Sequence, residues 1–263
     1  MISIKEIIVT LEHFAPLPLQ EDWDNAGLQI GLTETDASGV LLCLDVTEPV
    51  IDEAISKKCN LIVSHHPLLF HGLNQISDAD YIQRVVTKSI KNDIVIVSMH
   101  TNLDNAVGGV NWKIAEKLGV KNVRFLDSAC NEANGAKGSG AIGELDQPLS
   151  AKDFISRVKQ VLECDCVMTN EQLMRPVEKV ALCGGAGAFL LNAAIKQNAD
   201  AFLTGEMHYH EYFGHEQQIQ IVVTGHYESE HFTAEIFRDL LKEKYPSLHL
   251  EISQTVTNPI KYW

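Results

Sequence analysis

The sequence predicts an α/β protein made of two related α/β domains with mostly parallel sheets. Three observations lead to that class. Short β-branched runs alternate with stretches of helical periodicity, two long segments align with each other without gaps, and similar polar residues follow the predicted strands in both halves. Strand–helix alternation of this kind builds crossovers that cover a parallel sheet with helices.

A chain of 263 residues suffices for one large or two modest domains, and 45% hydrophobic with 21% charged residues is ordinary for a soluble globular protein. No apolar run approaches the roughly 18 residues that would suggest a membrane span. The formal net charge is −14, without a basic cluster long enough to track phosphates, so nucleic acid and anionic membranes are poor candidate partners. The six cysteines show no C-x-x-C spacing. Cys164 and Cys166 flank Asp165, which leaves a metal or redox reading open beside the main expectation of buried, reduced thiols in a cytoplasmic protein.

In "MISIKEIIVTLEHF", Ile2, Ile4, Ile7, Ile8, Leu11 and Phe14 recur at helical spacing with charged residues between them. That predicts a surface helix ending before Pro16, not a signal peptide. "DWDNAGLQIG" (22–31) reads as a loop, in which Asp24 and Asn25 hold a substrate's polar edge, orient a ligand, or cap an Asx-turn.

The segment "VLLCLDVTEPVIDEAISKKCNLIVSHH" starts at Val40, and "VALCGGAGAFLLNAAIKQNADAFLTGE" starts at Val180, an offset of 140 residues. Each reads strand, turn, helix, strand, and Val40/Val180, Leu42/Leu182, Cys43/Cys183, Ala54/Ala194 and Ile55/Ile195 coincide. A second pair, "IVSMHTNLD" (96–104) and "VVTGHYESE" (222–230), ends each strand near a histidine with an acid four residues later: His100 with Asp104, His226 with Glu230. Two unrelated βαβ units could share this much, but the preserved order favours an internal duplication.

"CGGAGAF" (183–189) is glycine-rich, as phosphate cradles are, yet it lacks the full spacing of either nucleotide motif; a tight strand-to-helix turn explains it as well. "ANGAKGSGAIGEL" (133–145) should be irregular or contain a tight turn. Ser150 should N-cap a helix with Asp153 near N3, and 229–246 should form a last amphipathic helix closed by Pro246.

Ligands of open α/β sheets gather beyond the carboxyl ends of the strands. Four polar patches fall there: His65 with His66, His100 with Asp104, Glu206 with His208 and His210, and His226 with Glu230. A lone histidine at a strand end is ordinarily a hydrogen-bonded surface or half-buried residue. Four such patches favour metal ligation, because imidazole and carboxylate together suit zinc, iron, manganese or nickel without choosing among them. Adjacent His65 and His66 can hardly aim both lone pairs at one ion, but they can reach two ions on the order of 3.5–4 Å apart. For His208 and His215, hydration of a polar side chain at the protein exterior is explanation enough.

Taken in order, "DWDNAGLQIG", "SHHPLLF" (64–70), "HTNLD" (100–104), "TGE" with a later histidine (204–210) and "TGHYESE" (224–230) resemble the Nif-three-like family over nearly the whole chain. Members of that family are often labelled GTP cyclohydrolase 1 type 2 homologues, and the length matches the short form without an inserted middle domain. The resemblance implies a dinuclear divalent-metal site in a cleft between the two domains and assembly into a toroidal homohexamer. Its ligands would be His65, His66, Asp104, His226 and Glu230, the last bridging both ions. It places His100 close by, behind the ligands or against the substrate, and favours His210 over His208; read from the residues themselves, His100 and His210 are the catalytic candidates, with Asp24, Asn25 and Glu206 as candidate substrate contacts. It also returns the C-terminal helix to the first domain, which, with a domain crossing placed near residue 126, gives 1–125 plus about 225–263, and 126–224.

The function this implies is that of a metal-dependent hydrolase of the cyclohydrolase kind, with metal-bound hydroxide attacking a purine ring or similar electrophile and a small molecule such as a nucleotide as substrate. Two other readings stand beside it: a phosphoesterase or cyclic amidase using the same ions, and a non-enzymatic metal-handling or regulatory protein.

Overall fold

The structure, a computed structural model, describes residues 2–130 and 136–263. Ser3 caps helix α1 (Ile4–Phe14): its hydroxyl accepts from the Glu6 amide while the Glu6 carboxylate accepts from the Ser3 amide, and Ile4, Ile7, Ile8 and Leu11 are buried along one face. The chain continues through β1 (Gly27–Ile30), β2 (Val40–Cys43), α2 (Glu48–Ser56), β3 (Leu61–Ser64), α3 (Tyr81–Lys91), β4 (Val95–Ser98) and α4 (Thr101–Asp104). Then come α5 (Val110–Leu118), β5 (Val120–Cys130), β6 (Ala136–Leu149), α6 (Ala151–Val161), β7 (Met168–Thr169), β8 (Val177–Cys183) and α7 (Leu191–Lys196). It closes with β9 (Ala201–Thr204), β10 (Gln220–Val223), α8 (His226–Glu230), α9 (Thr233–Lys244) and β11 (Leu250–Ile252). Two compact units result, Met1–Leu103 with His231–Trp263, and Asp104–Glu230.

Among the described residues, the first unit holds a five-stranded sheet in the order β1-β4-β3-β2-β11. All pairings are parallel except that of the edge strand β1 with β4. Every residue of β2, β3 and β4 is buried, as a parallel sheet covered on both faces requires. On one face Leu41, Ile62 and Ile96 pack with Val50, Ile51 and Ala54 of α2 and with Val85 and Val86 of α3.

Among the described residues, the second unit holds a six-stranded sheet in the order β5-β6-β8-β9-β10-β7. Only β8, β9 and β10 run parallel; β5, β6 and β7 join antiparallel, so this sheet is mixed where a mostly parallel one was expected. Ala181, Phe202 and Ile221 pack with Leu190, Leu191 and Ala194 beneath it.

The internal alignment has a structural counterpart. β2 pairs with β3 from Val40↔Leu61 to Cys43↔Ser64, and β8 pairs with β9 from Val180↔Ala201 to Cys183↔Thr204. The offset of 140 residues therefore maps one register onto the other, residue for residue. The second pair is less regular: Ser64 faces Ser98, whereas Thr204 faces Val223, one residue short of the Thr224 that the sequence alignment matches to Ser98.

Three local expectations are corrected. Residues 136–145 of the glycine-rich stretch lie in the long strand β6, while 133–135 fall outside the described residues. A Cβ on Gly138 would strike the Phe125 ring, and one on Gly143 the Lys121 carbonyl; these glycines permit close strand approach and do not mark a turn. The helix expected over 229–246 is two helices, α8 and α9, parted at His231–Phe232. Cys43, Cys59 and Cys164 are buried free thiols as expected, but Cys166 is exposed. The helix after Ser150 forms as expected, with the Ser150 hydroxyl accepting from the Asp153 amide at 3.1 Å. No helix among the described residues is long and apolar enough to cross a membrane.

Candidate metal centre

Strand β3 delivers His65 and His66 at its carboxyl end. The backbone there is pinned twice. The His65 amide donates to the Cys43 and Leu44 carbonyls, and the His66 amide to Leu44 at 3.0 Å. Ser64 and Ser98, facing each other at the ends of β3 and β4, hold their hydroxyls 2.8 Å apart and within 3.0 and 3.2 Å of the His66 carbonyl. His100 follows β4 just before α4. The three rings form a triangle with centroids 4.9, 5.2 and 5.5 Å apart, and each offers a ligand nitrogen within 4.8 Å of the others.

What surrounds these rings decides their chemistry. His65 Nδ1 lies 2.8 Å from the Met99 carbonyl, which can only accept, so Nδ1 carries the proton and Nε2 the lone pair. His66 Nδ1 meets Asp45 Oδ1 at 2.7 Å, and His100 Nδ1 meets Asp24 Oδ1 at 2.8 Å, which favours the same tautomer in both. Oxygen acceptors on Nδ1 orient an imidazole and raise the basicity of Nε2, as they do behind metal-ligating histidines.

The two carboxylates are themselves held in place. Burial works to raise the Asp24 carboxyl, but hydrogen bonds from the His100 ring, the Thr101 hydroxyl and the Asn25 amide outweigh it and hold it at about 2; the Thr101 amide donates to it as well. Burial likewise opposes the Asp45 charge, and donation from His66 and Thr257 lowers its pKa on balance. The Asp24 side chain is fully enclosed, so of the readings open for it, orientation of an imidazole is the one its contacts serve. Asn25 donates through Nδ2 to the Leu69 carbonyl at 2.5 Å and ties the loop after His66 to its own. Sequence reasoning passed over Trp23 and Phe70, whose rings meet His100 edge-on at 5.9 and 5.6 Å while staying 64% and 42% exposed. The signal was available for both, Trp23 inside the first motif and Phe70 at the end of the second.

In the second unit, α8 is little more than one turn. It places His226 and Glu230 four residues apart on one face, with Nε2 and Oε2 3.1 Å from each other. His226 thus opens this helix instead of preceding the last one. Its Nδ1 lies 2.9 Å from Glu206, whose loop is set by the Gly205 and Glu206 amides donating to the Gly185 carbonyl. The glycine-rich turn after β8 also acquires a purpose. Gly185 has φ +57°, and a Cβ there would come within 2.5 Å of Glu230 Oε1 and 3.3 Å of the His226 ring. The space these glycines leave is taken by a carboxylate. Asp104 and Glu230 act on one further group: burial first, then these two charges, push the Cys183 thiol well above its ordinary range.

His210 sits apart from this arrangement. It lies on a 3-10 turn, Tyr209–Tyr212, with its ring 5.2 Å from Tyr209 and 6.1 Å from Phe213, and no group of metal-ligand type among the described residues includes it. His208 caps that same turn through its amide and Glu211.

Comparison with known proteins supports the family resemblance. The profile of the Duf34/NIF3 (NGG1p interacting factor 3) family matches residues 2–259. A GTP cyclohydrolase 1 type 2 homolog of Clostridium acetobutylicum is 32% identical over 230 residues, covering 87% of this chain and 85% of its own. NIF3-like protein 1 of Drosophila melanogaster is 33% identical over 212 residues, covering 80% and 71%. Among solved structures, a Staphylococcus aureus hypothetical protein, SA1388, superposes with a TM-score of 0.90 at 26% identity over 100% of this chain and 99% of its own. A Bacillus cereus protein related to NIF3 gives 0.87 at 26% over 99% of each.

Proposed function

Because the chain belongs to the Duf34/NIF3 family, we propose that it binds two divalent cations and uses them for hydrolysis of a small molecule. The residues that would hold them are His65, His66, Asp104, His226 and Glu230. The observation that carries this reading is the common preparation of the imidazoles: His65, His66, His100 and His226 each have Nδ1 on an oxygen acceptor. A structural histidine has no need of such a consistent arrangement, whereas a ligand must keep Nε2 basic and aimed.

When bound, such ions supply Lewis acidity and a nucleophile at neutral pH. The chain's own residues do the rest. His65 and His66 stay in one tautomer. His100, set by Asp24 and not required for ligation, exchanges the proton that ring opening or ester cleavage moves. Exposed Glu206 orients His226, whereas His210 stands on its own turn beside Tyr209 and Phe213. The relatives' printed name, GTP cyclohydrolase 1 type 2 homolog, makes a purine nucleotide the first substrate to try. The charge of −14 repels a polyanion at long range, so the cations must offset it locally. The matched registers of β2–β3 and β8–β9 support an internal duplication, and a homohexamer is the assembly to test.

A second reading, metal handling without catalysis, draws support from the exposure of the second unit's groups: the His226 side chain is 34% and that of Glu206 55% exposed, which suits exchange of an ion with an acceptor. One experiment separates the two. Metal-loaded protein is incubated with nucleotides, phosphoesters and cyclic amides beside a Glu230→Ala control. Turnover that requires both the metal and Glu230 supports the hydrolase. Absence of turnover across the panel, with ready release of metal to a chelator, supports the second reading.

A further inference from the structure

We propose that the extended segment Ser253–Thr257 is a working part of the imidazole cluster: through Thr257 and Asp45 it sets the orientation of the His66 ring, so that cation binding and docking of the segment are coupled. The inference rests on the reading of His66 as a metal ligand and names a positioning group for it.

The segment is built from simple parts. β11 pairs in parallel with β2 from Leu250↔Val40 to Ile252↔Leu42, and the ladder runs one step further as the Ser253 amide donates to the Leu42 carbonyl at 2.8 Å. Beyond it residues 253, 255 and 257 are half-buried while 254 and 256 are exposed, the period-two alternation of an extended chain. The sequence "SQTVT" places a hydroxyl at every inward position.

Those hydroxyls read two carboxylates. Glu53, on α2, accepts from Ser253 Oγ at 2.6 Å, Thr255 Oγ1 at 2.7 Å, and the amides of Gln254 and Thr255 at 2.8 and 3.2 Å. This clamps the segment to the body of the unit. Thr257 Oγ1 then donates to Asp45 Oδ2 at 2.5 Å, while Asp45 Oδ1 faces His66 Nδ1 at 2.7 Å. One carboxylate oxygen thus serves the imidazole and the other is held by the segment. Without Thr257, the Asp45 carboxylate keeps a single side-chain tether and can turn away from His66. Partners of this kind behind a metal-ligating histidine set ligand geometry and basicity. Linkage then requires reciprocity: if docking favours the cation, the cation favours docking by the same factor.

The test uses cobalt(II), whose affinity is read by chelator competition and whose visible absorption reports ligand geometry. Thr257→Val removes the hydroxyl at nearly constant shape and should weaken cobalt binding by about tenfold, with an altered absorption band, whereas Thr257→Ser should restore both. Glu53→Gln touches none of the imidazoles and should weaken binding in the same direction. In the unmodified protein, cobalt should slow hydrogen exchange at the amides of 253–257, a comparison that decides the matter even if Thr257→Val does not fold. Equal cobalt affinity for Thr257→Val and the unmodified chain, or exchange in 253–257 indifferent to cobalt, would overturn the coupling while leaving the metal reading intact. Failure of the unmodified protein to bind cobalt would overturn both.

Discussion

The imidazole of His100 and the enclosed carboxylate of Asp24 meet at 2.8 Å, although 76 residues separate them in sequence. Asp24 also accepts from the amide and hydroxyl of Thr101, so one side chain sets both the ring and the start of α4. Asp24→Asn keeps the shape, removes the charge and offers an NH₂ where an acceptor is needed. Thermal or denaturant unfolding should show a loss of about 1–3 kcal/mol. If His100 moves a proton in the reaction, turnover should also fall by about 10²-fold or more while metal content holds. Unchanged turnover in a folded, metal-loaded Asp24→Asn protein would remove His100 from the mechanism.

His65→Ala and Glu230→Ala test ligation directly. Each should strip most of the bound metal, read by elemental analysis of purified protein, while circular dichroism stays close to that of the unmodified chain. His65 and Glu230 are both buried, so some stability is lost as well, but neither is part of the apolar clusters beneath the sheets. Full metal content in either variant would sink its assignment.

Gly185 offers a test that changes no ligand. Its φ of +57° disfavours any side chain, and the Cβ of Gly185→Ala would press on the Glu230 carboxylate. The substitution should destabilise the fold by more than about 1 kcal/mol, and the displaced carboxylate should lower metal affinity. Retention of both properties would mean that the turn can relax without moving Glu230.

Glu53 predicts a pH dependence. Burial works to raise its carboxyl, but donation from Ser253, Gln254, Thr255 and Lys57 outweighs it and brings it from the ordinary 4.5 to about 2. A depressed folded-state value means that the unfolded chain takes up the proton first. The stabilisation is therefore complete above the unfolded value near 4.5 and is lost as pH falls toward about 2. After allowance for solvent screening it amounts to about 1–2 kcal/mol. Unfolding curves across that range should show the decline, and Glu53→Gln should flatten it. Parallel curves for the two proteins would contradict the assignment.

Much of the local structure was legible because it depends on neighbours in sequence. The reciprocal cap of Ser3 and Glu6, the buried runs at Val40–Cys43 and Leu61–Ser64, and the shared register at an offset of 140 all follow from short-range pattern. The glycine-rich stretch was misread because glycine signals both turns and close approach. Only the Phe125 ring and the Lys121 carbonyl, brought alongside by β5, show which applies at Gly138 and Gly143.

By itself, then, the sequence determined the α/β class, the strand–helix–strand units and the histidines placed after the strands, since periodicity and spacing are properties of the chain alone. The tertiary structure decided what those histidines can do. Asp24, Asp45, Met99 and Glu206, the groups behind His100, His66, His65 and His226, reach their rings from strand ends and loops 20 to 76 residues away, and Thr257 reaches Asp45 across 212. Imidazole tautomer and basicity depend on which oxygen meets Nδ1, and that is settled only when the sheets bring distant strand ends together.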